Sequence, residues 1–191
     1  MERFSRVLLA RHGQTEWNLA GRRQGRLDSP LTEAGLAQAH RHAAAVRAED
    51  VDAIFTSPLG RARTTAEIIA AASGLAVHVV DGLTEVDHGD FGGCTDAEVA
   101  RRAPDRARDK YHWRFPHGES YADADQRATA ALHAIAERAA KPLIVSHEMF
   151  GRMLLRSLLN EPPAAALARR QPHDVIYAVA RGALTALGTP A

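Results

Sequence analysis

Short apolar runs rich in Val and Ile alternate along this chain with longer segments rich in Ala, and this alternation constrains the fold more than any other feature. Six of the runs predict strands, at residues 6–10, 53–56, 77–80, 143–146, 175–180 and 183–187. Helices are predicted at about residues 32–48, 59–73, 120–139 and 149–160. Strands that alternate with helices indicate an α/β fold with a largely parallel sheet. The two-residue link Arg181-Gly182 predicts that the last two strands form a hairpin, which makes the sheet mixed.

Composition and charge exclude several classes of protein. The chain has 191 residues, enough for one domain with a buried core, and its formal net charge of +1 argues against a nucleic-acid partner. Cys94 is the single cysteine, so neither an intrachain disulfide nor a cysteine-based zinc site is expected. The apolar run near the N-terminus is too short for a signal peptide, and no later stretch approaches the length of a membrane span. We therefore expect a cytoplasmic protein without a membrane partner.

Three of the predicted strands end in cationic or imidazole side chains. Arg11 and His12 directly follow the first strand, and Arg61 lies in the first turn of the helix after the second strand. His147 follows the fourth strand. Open α/β sheets bind their ligands beyond the carboxyl ends of the strands. One such ending would be expected of any strand that reaches the surface, but three of them predict a shared site.

Two arginines and two histidines in one site are suited to a phosphoryl group. That group carries about two negative charges near neutral pH, and the guanidinium fork binds its oxygens in a bidentate way. A neutral histidine can attack phosphorus, and neighbouring positive charge keeps it neutral by lowering its pKa. On this reasoning either His12 or His147 could be the nucleophile. The leaving oxygen needs a proton donor, and Glu85 is the best-placed carboxyl, although Asp87 or Asp90 would serve on chemistry alone.

Six segments of the sequence carry a resemblance to a known family. In chain order they are RHGQTEWN, GRRQGRLDSPLTEAG, SPLGRARTTA, LTEVDHGDFGG, HGES and VSH, and they span nearly the whole chain. The ordered set resembles the motifs of the histidine phosphatase superfamily, which includes the cofactor-dependent phosphoglycerate mutases. The resemblance implies a phosphoglycerate mutase-like, three-layer α/β/α sandwich around a mostly parallel mixed sheet of about six strands. It also implies a single domain over residues 1–191.

The same resemblance implies a role for individual residues. His12 would be the nucleophile that becomes phosphorylated, and Glu85 would be the proton donor that later activates water. Four residues would hold the transferred phosphoryl group: Arg11, Asn18, Arg61 and His147. Gln24 and Gly25 match a loop that in this family lies over the substrate. The family needs no metal, in keeping with the absence of a His, Cys and carboxylate cluster with ligand spacing, and we expect no cofactor.

Two positions depart from the family pattern. Glu148 follows the second histidine, where the family commonly has Gly, and an acid there could repel some substrates or point away from the phosphate. His88 stands where an aromatic residue is frequent. Neither departure removes a catalytic group.

The spacing of the motifs favours hydrolysis over mutase activity. Only 61 residues separate Glu85 from His147, whereas the mutases tend to carry a longer insertion there, which helps to shield the phosphohistidine from water. We therefore expect a metal-independent phosphomonoesterase for a small phosphorylated metabolite, with a phosphoglycerate mutase as the alternative. A non-catalytic binding or regulatory member is less well supported, since the pocket residues and Glu85 are all present. A nucleotide-binding module would need a Gly-rich loop after the first strand, and the sequence has none there.

The segment at about residues 94–118, called the cap segment below, is where we expect the specificity to lie. It contains six cations and three aromatic residues: Arg101, Arg102, Arg106, Arg108, Lys110, Arg114, Tyr111, Trp113 and Phe115. Two interpretations stay open, a solvated helix and loop with anchoring aromatics, or a cap that offers cations and aromatic walls to an anionic substrate. The expected partner is a small phosphate ester, and a homodimer is compatible with a sequence that does not indicate the oligomeric state. His40 and His42 are expected on different faces of a helix, both solvated.

Overall fold

Six strands form one mixed sheet in the computed structural model, which describes residues 4–188. They are β1 (Val7–Arg11), β2 (Ala53–Thr56), β3 (Val77–Val79), β4 (Pro142–Ser146), β5 (Val175–Ala180) and β6 (Ala183–Gly188). Their spatial order is β3-β2-β4-β1-β5-β6. The pairs β1–β4, β2–β4 and β2–β3 are parallel, whereas β5 is antiparallel to both β1 and β6. The prediction of a mostly parallel sheet closed by a hairpin is confirmed.

Seven α-helices connect or flank the strands within the described residues. They are α1 (Glu16–Leu19), α2 (Glu33–Val46), α3 (Gly60–Ser73), α4 (Asp96–Arg102), α5 (Tyr121–Ala136), α6 (Glu148–Leu159) and α7 (Pro163–Ala168). The four predicted helices correspond to α2, α3, α5 and α6. Local chemistry explains where they begin: the Thr32 side chain accepts the Gly35 N–H at the start of α2, and Ser120 with Asp123 forms a reciprocal capping box at the start of α5.

The helices cover both faces of the sheet, because alternate strand residues point to opposite sides. Val7 and Leu9 pack into the core that contains the buried faces of α5 and α6. Leu8 and Ala10 pack into the other core, with buried residues of α2 and α3. The three-layer α/β/α sandwich is therefore confirmed. No helix within residues 4–188 is long and apolar enough to cross a membrane.

The aromatic residues of the cap segment are anchors. Phe115 is buried in the core on the α5–α6 side, and Tyr111 and Trp113 are partly buried against that core. They do not line the cavity at the strand ends described below, so they form no wall of that cavity. Trp113 and Phe115 instead pack edge-on against each other and against Phe91, which removes these large rings from water.

The expectation that both helical histidines are solvated is half right. His40 and His42 do lie on different faces of α2, and His40 is exposed. His42, however, is fully buried, because it follows Ala39 by three residues and precedes Val46 by four on the face that packs against the sheet. The pKa of His42 is lowered to about 4, mainly because the side chain is buried. His42 is therefore an uncharged part of the core at neutral pH.

Candidate active site

The carboxyl ends of the parallel strands β1, β2 and β4 meet at one edge of the sheet, and a cavity of about 200 Å³ opens there. We call it the catalytic cavity. Seven of the eight predicted site residues line it: Arg11, His12, Asn18, Gln24, Gly25, Arg61 and Glu85. The eighth, His147, lies directly behind, with its ring centroid 5.2 Å from that of His12. The structure thus brings together side chains that are up to 136 positions apart, from Arg11 to His147.

His12 is buried and its tautomer is set by the backbone. Its Nδ1 lies 2.7 Å from the carbonyl oxygen of Gly13, so Nδ1 carries the proton and donates it. The other ring nitrogen, Nε2, is left with a lone pair and accepts from Arg61 Nε at 3.3 Å. Gly13 permits this geometry through close approach, because a Cβ there would collide with the carbonyl oxygen of Gly35 at the start of α2. His12 therefore presents an unprotonated nitrogen to the cavity.

The electrostatics of the site keep both predicted histidines neutral. Burial lowers the pKa of His12 well below 6.5, and the nearby Arg61, His147 and Arg11 lower it further. The pKa of His147 is likewise well below 6.5, through burial first and then through Arg61 and Arg11. At neutral pH the imidazoles are thus uncharged, and the positive charge of the cavity resides on the arginines.

Arg61 is held in place by the loop that precedes α2. Its Nη1 donates to the carbonyl oxygen of Leu27 at 2.7 Å and to Asp28 Oδ1 at 2.9 Å, and its Nη2 donates to the carbonyl oxygen of Gly25 at 2.8 Å. These bonds leave the Nε side of the guanidinium turned toward His12. The segment that contains Gln24 and Gly25, predicted to lie over the substrate, therefore also orients Arg61.

Arg11 is paired with the unexpected acid that follows the second histidine. Its Nη1 lies 2.8 Å from Glu148 Oε2 and donates to the carbonyl oxygen of Gln171 at 3.2 Å. Glu148 also accepts from Arg152 at 2.8 Å and lines the catalytic cavity. Burial by itself raises the pKa of Glu148, but Arg11 and Arg152 together bring it below the usual range. Glu148 is thus a charged carboxylate inside the site and does not point away.

His147 and Glu85 are both fixed at the beginning of α6. His147 precedes the helix, and its Nε2 lies 2.8 Å from the hydroxyl of Ser57, while its buried Nδ1 has no hydrogen-bond partner among residues 4–188. Glu85 accepts backbone N–H bonds through both oxygens, at Oε1 from Val86 and Phe150 (2.8 Å each) and at Oε2 from Met149 (3.2 Å). The N–H groups of Met149 and Phe150 belong to the first turn of α6, so the start of this helix fixes the position of the Glu85 carboxyl group.

Asn18 and Gln24 are joined through one buried threonine. Asn18 Oδ1 accepts from the backbone N–H of Thr15 at 3.1 Å and from its hydroxyl at 3.0 Å. The Gln24 amide donates to the same hydroxyl at 2.8 Å. Because the oxygen of Asn18 is occupied by Thr15, its amide nitrogen is the end left to donate to a ligand in the catalytic cavity.

Several residues of the site were not predicted from the sequence. Ser57 orients His147, and Gln171 donates to the carbonyl oxygen of Leu9 while its own carbonyl accepts from Arg11. His173 lies 2.7 Å from the carbonyl oxygen of His12. Gln171 and His173 lie just before β5, which runs antiparallel to β1 and pairs Ile176 with Ala10. The segment before β5 therefore reaches the end of β1, where Arg11 and His12 lie. The sequence indicated the β5–β6 hairpin but carried no signal that β5 pairs with β1.

The remaining lining of the catalytic cavity comes mostly from outside the cap segment. Arg22, Arg23, His88 and Met149 contribute, and Asp96 is the cap residue that reaches it. The cations of the cap segment do not line this cavity; Arg22 and Arg23, from the loop after α1, do. Among residues 4–188, no three His, Cys, Asp or Glu side chains gather in a way that could hold a metal ion.

Comparison with known proteins gives a consistent family and a range of activities. Residues 7–181 match the histidine phosphatase superfamily (branch 1). A probable phosphoglycerate mutase GpmB from Yersinia enterocolitica is 40% identical over 168 residues, which cover 83% of this chain and 77% of the relative. The structure of a mycobacterial glucosyl-3-phosphoglycerate phosphatase complexed with VO3 superposes with a TM-score of 0.83 at 29% identity and covers 96% of each chain.

A second solved structure supports the fold alone. A putative alpha-ribazole-5'-P phosphatase from Escherichia coli superposes with a TM-score of 0.84 at 23% identity, covering 98% of this chain and 97% of its own. Similar proteins thus carry names of both mutases and phosphatases. The comparisons agree on the superfamily, whose members transfer phosphoryl groups. They do not distinguish a mutase from a phosphatase.

Proposed function

The chain belongs to the histidine phosphatase superfamily, and from that premise we propose that it is a metal-independent phosphomonoesterase that acts on a small phosphorylated metabolite through a phosphohistidine. The observation that carries this proposal is the state of His12. Its Nδ1 proton is committed to the Gly13 carbonyl oxygen, and its Nε2 lone pair stands beside Arg61 in the catalytic cavity. A neutral, oriented imidazole next to fixed cations is what nucleophilic attack on a phosphoryl group requires.

In the first step His12 Nε2 attacks phosphorus. A nitrogen–phosphorus bond forms, the ester phosphorus–oxygen bond breaks, and Glu85 gives its proton to the leaving oxygen. Arg61 Nε, which contacts His12 Nε2 in the free protein, then donates to a phosphoryl oxygen instead. The result is a phosphorylated His12 and a free alcohol.

In the second step water attacks the phosphohistidine. The ionised Glu85 takes a proton from that water, the nitrogen–phosphorus bond breaks, and its electron pair returns to His12 Nε2. Inorganic phosphate leaves, and both side chains regain their starting states. The N-terminus of α6 holds the Glu85 carboxyl group at the lining of the catalytic cavity, within reach of a ligand there, as both the acid step and the base step require.

Unpartnered donors around His12 support the assignment of the phosphate-binding residues. The buried Nε of Arg11 and the buried Nδ1 of His147 have no hydrogen-bond partner among the described residues. If the Ser57 hydroxyl donates to His147 Nε2, the proton of His147 lies on Nδ1 and is available to a ligand. A buried donor without a partner is costly, and a phosphoryl group bound at His12 would satisfy both.

A phosphoglycerate mutase is the second candidate, favoured by the 40% identity to a relative with that name. Both activities use the phosphohistidine and differ in what attacks it, a bound sugar-acid hydroxyl or water. The short chain between Glu85 and His147 favours water, since it leaves little to cover the intermediate. Added 3-phosphoglycerate distinguishes them: a mutase interconverts the 2- and 3-isomers when primed with 2,3-bisphosphoglycerate, and a phosphatase releases phosphate.

The proposal is tested by hydrolysis of 4-nitrophenyl phosphate in the presence of excess EDTA. We expect phosphate release that EDTA does not reduce. Loss of activity with EDTA, restored by a divalent ion, would contradict the metal-independent mechanism. Turnover of 3-phosphoglycerate only to its isomer, with no release of phosphate from any ester, would favour the mutase.

Three further expectations remain part of this proposal. The chain acts as a single domain on a small-molecule substrate, with neither nucleic acid nor a membrane as partner, and it works in the cytoplasm. The net charge of +1 supports the first exclusion. Size-exclusion chromatography with light scattering measures whether the protein is a monomer or a homodimer.

A further inference from the structure

A second cavity, of about 400 Å³, lies next to the catalytic cavity and is lined by α4 and the segment after it. We call it the distal cavity. Its polar lining residues are Arg23, Asp96, Arg106 and Lys110, and apolar residues such as Val99 and Ala103 complete the wall. Arg23 and Asp96 line both cavities and form an ion pair of 2.7 Å. The two cavities therefore adjoin at this ion pair.

The distal cavity has an excess of positive charge. Three cations and one carboxylate line it, and that carboxylate, Asp96, is 83% exposed and paired with Arg23. The nearby Asp105 does not balance this positive charge, because its carboxylate pairs with Arg108 on the surface. Burial lowers the pKa of Lys110, and the charges of Arg106, Arg152 and Arg23 lower it further. Arg23 has its negative partner in Asp96, whereas Arg106 and Lys110 form no ion pair with a carboxylate among residues 4–188.

Buried donors at this place also lack hydrogen-bond partners. Within residues 4–188 no acceptor meets the Nε of Arg23 or the Nε and Nη2 of Arg106. Both arginines line the distal cavity. Unpaired buried donors are rare in native proteins, because each costs the free energy of its lost hydration. Their concentration here indicates a place for an acceptor group.

Aromatic side chains hold the central cation of the distal cavity in position. The guanidinium of Arg106 lies 5.3 Å from the ring centre of Phe115 and 6.0 Å from that of Trp113. Such cation–π contacts orient a guanidinium without occupying its N–H groups. The anchoring aromatics of the cap segment therefore present Arg106 with its donors unused.

We propose that the distal cavity binds a second anionic group, a carboxylate or a further phosphate, of the substrate whose ester phosphate lies at His12. This inference rests on the proposed phosphomonoesterase activity and names its substrate class: phosphate monoesters that carry another anionic group a short distance from the ester. Arg106 and Lys110 contact that group, and Arg23 lies at the passage between the two cavities. An anion that reaches past Arg23 supplies the acceptors that the folded protein does not provide.

The test compares matched pairs of esters in which one member carries the second anion and the other a neutral amide in its place. Suitable pairs are 3-phosphoglycerate and its amide, and 2-phosphoglycolate and its amide. The wild type is expected to prefer the charged member of at least one pair by about tenfold in kcat/KM, mainly through KM, as expected for one charge-assisted contact. Arg106→Gln and Lys110→Met should each reduce that preference by several-fold, while Arg108→Gln, an exposed neighbour, should leave it as in the wild type.

The outcomes separate this inference from the proposed function. Hydrolysis of neutral esters without any preference for charged partners would overturn the distal site and leave the phosphatase standing. Equal losses for both members of a pair in Arg106→Gln and Lys110→Met would also overturn it, since a structural role would produce that result. If 4-nitrophenyl phosphate and all the paired esters resist hydrolysis, the proposed function fails, and the inference falls with it.

Discussion

The catalytic cavity and the distal cavity lie side by side but hold their arginines in different ways. Protein acceptors meet the terminal nitrogens of the arginines in the catalytic cavity: Asp28 and backbone carbonyls bind Arg61, and Glu148 binds Arg11, whose Nε has no partner among residues 4–188. In the distal cavity, aromatic faces support Arg106 and leave its Nε and Nη2 without acceptors. The first arrangement fixes the direction of the charge before a ligand arrives, and the second leaves hydrogen bonds for a ligand to complete.

This difference separates two functions of positive charge. A cation oriented in advance stabilises the transition state of phosphoryl transfer without reorganisation. A cation with unused donors contributes mostly to substrate binding, because the free energy of its hydrogen bonds depends on which acceptor group the substrate carries. Changes in the catalytic cavity should therefore lower kcat for every ester, and changes in the distal cavity should alter the choice among esters.

The largest expected effect is that of His12→Asn. Asparagine cannot form the covalent intermediate, so kcat should fall by about 10⁴-fold or more for all esters, in line with the loss of other nucleophiles. Steady-state hydrolysis of 4-nitrophenyl phosphate measures it, with His40→Asn on the exposed face of α2 as the control. A variant that keeps a tenth of the wild-type rate would assign the nucleophile to another residue.

Arg61→Lys should have the next largest effect. Lysine keeps the charge but cannot contact Leu27, Asp28 and Gly25 while also reaching His12, so kcat/KM should fall by about 10²-fold or more. Arg63→Lys, an exposed position on the same helix, is the matched control. Similar kinetics in both variants would mean that the guanidinium geometry described for the catalytic cavity is unimportant.

Glu148→Gln should produce a smaller change of the opposite sign. The charged Glu148 pairs with Arg11 and lines the cavity in which we propose that a phosphate dianion binds, so its neutralisation should lower the inhibition constant of inorganic phosphate by about fivefold. The control is Glu161→Gln, whose carboxylate pairs with Arg169 away from the site. Weaker phosphate binding in Glu148→Gln would show instead that Glu148 acts mainly by positioning Arg11.

The smallest expected effect is on the acid side of the pH profile. Protonated His12 cannot attack, but burial and then Arg61 and His147 keep its pKa well below 6.5. Between pH 6.5 and that depressed pKa the imidazole stays neutral, so kcat/KM should change by less than about twofold once the ionisation of the substrate phosphate is taken into account. Activity should then fall as the pH passes through the depressed pKa. A midpoint near 6.5 that belongs to the enzyme would contradict the electrostatics described for the catalytic cavity.

The sequence was sufficient for those site residues whose places follow from strand ends. Arg11, His12 and His147 could be placed together because parallel strands bring their carboxyl ends to one edge. Ser57 and His173 act through hydrogen bonds between loops far apart in sequence, and such contacts depend on loop conformations that have no periodic signature. The sequence indicated the cations of the cap segment but not their partners, since the cation–π support of Arg106 arises only from tertiary packing.

Direct detection of the covalent intermediate tests the central claim that His12 is the nucleophile of this site. Wild-type protein is mixed briefly with an ester that carries labelled phosphate, denatured without acid, digested and analysed by mass spectrometry. The account predicts an acid-labile phosphoryl group on His12, absent from His12→Asn. A label on another residue, or one that persists in His12→Asn, would contradict it.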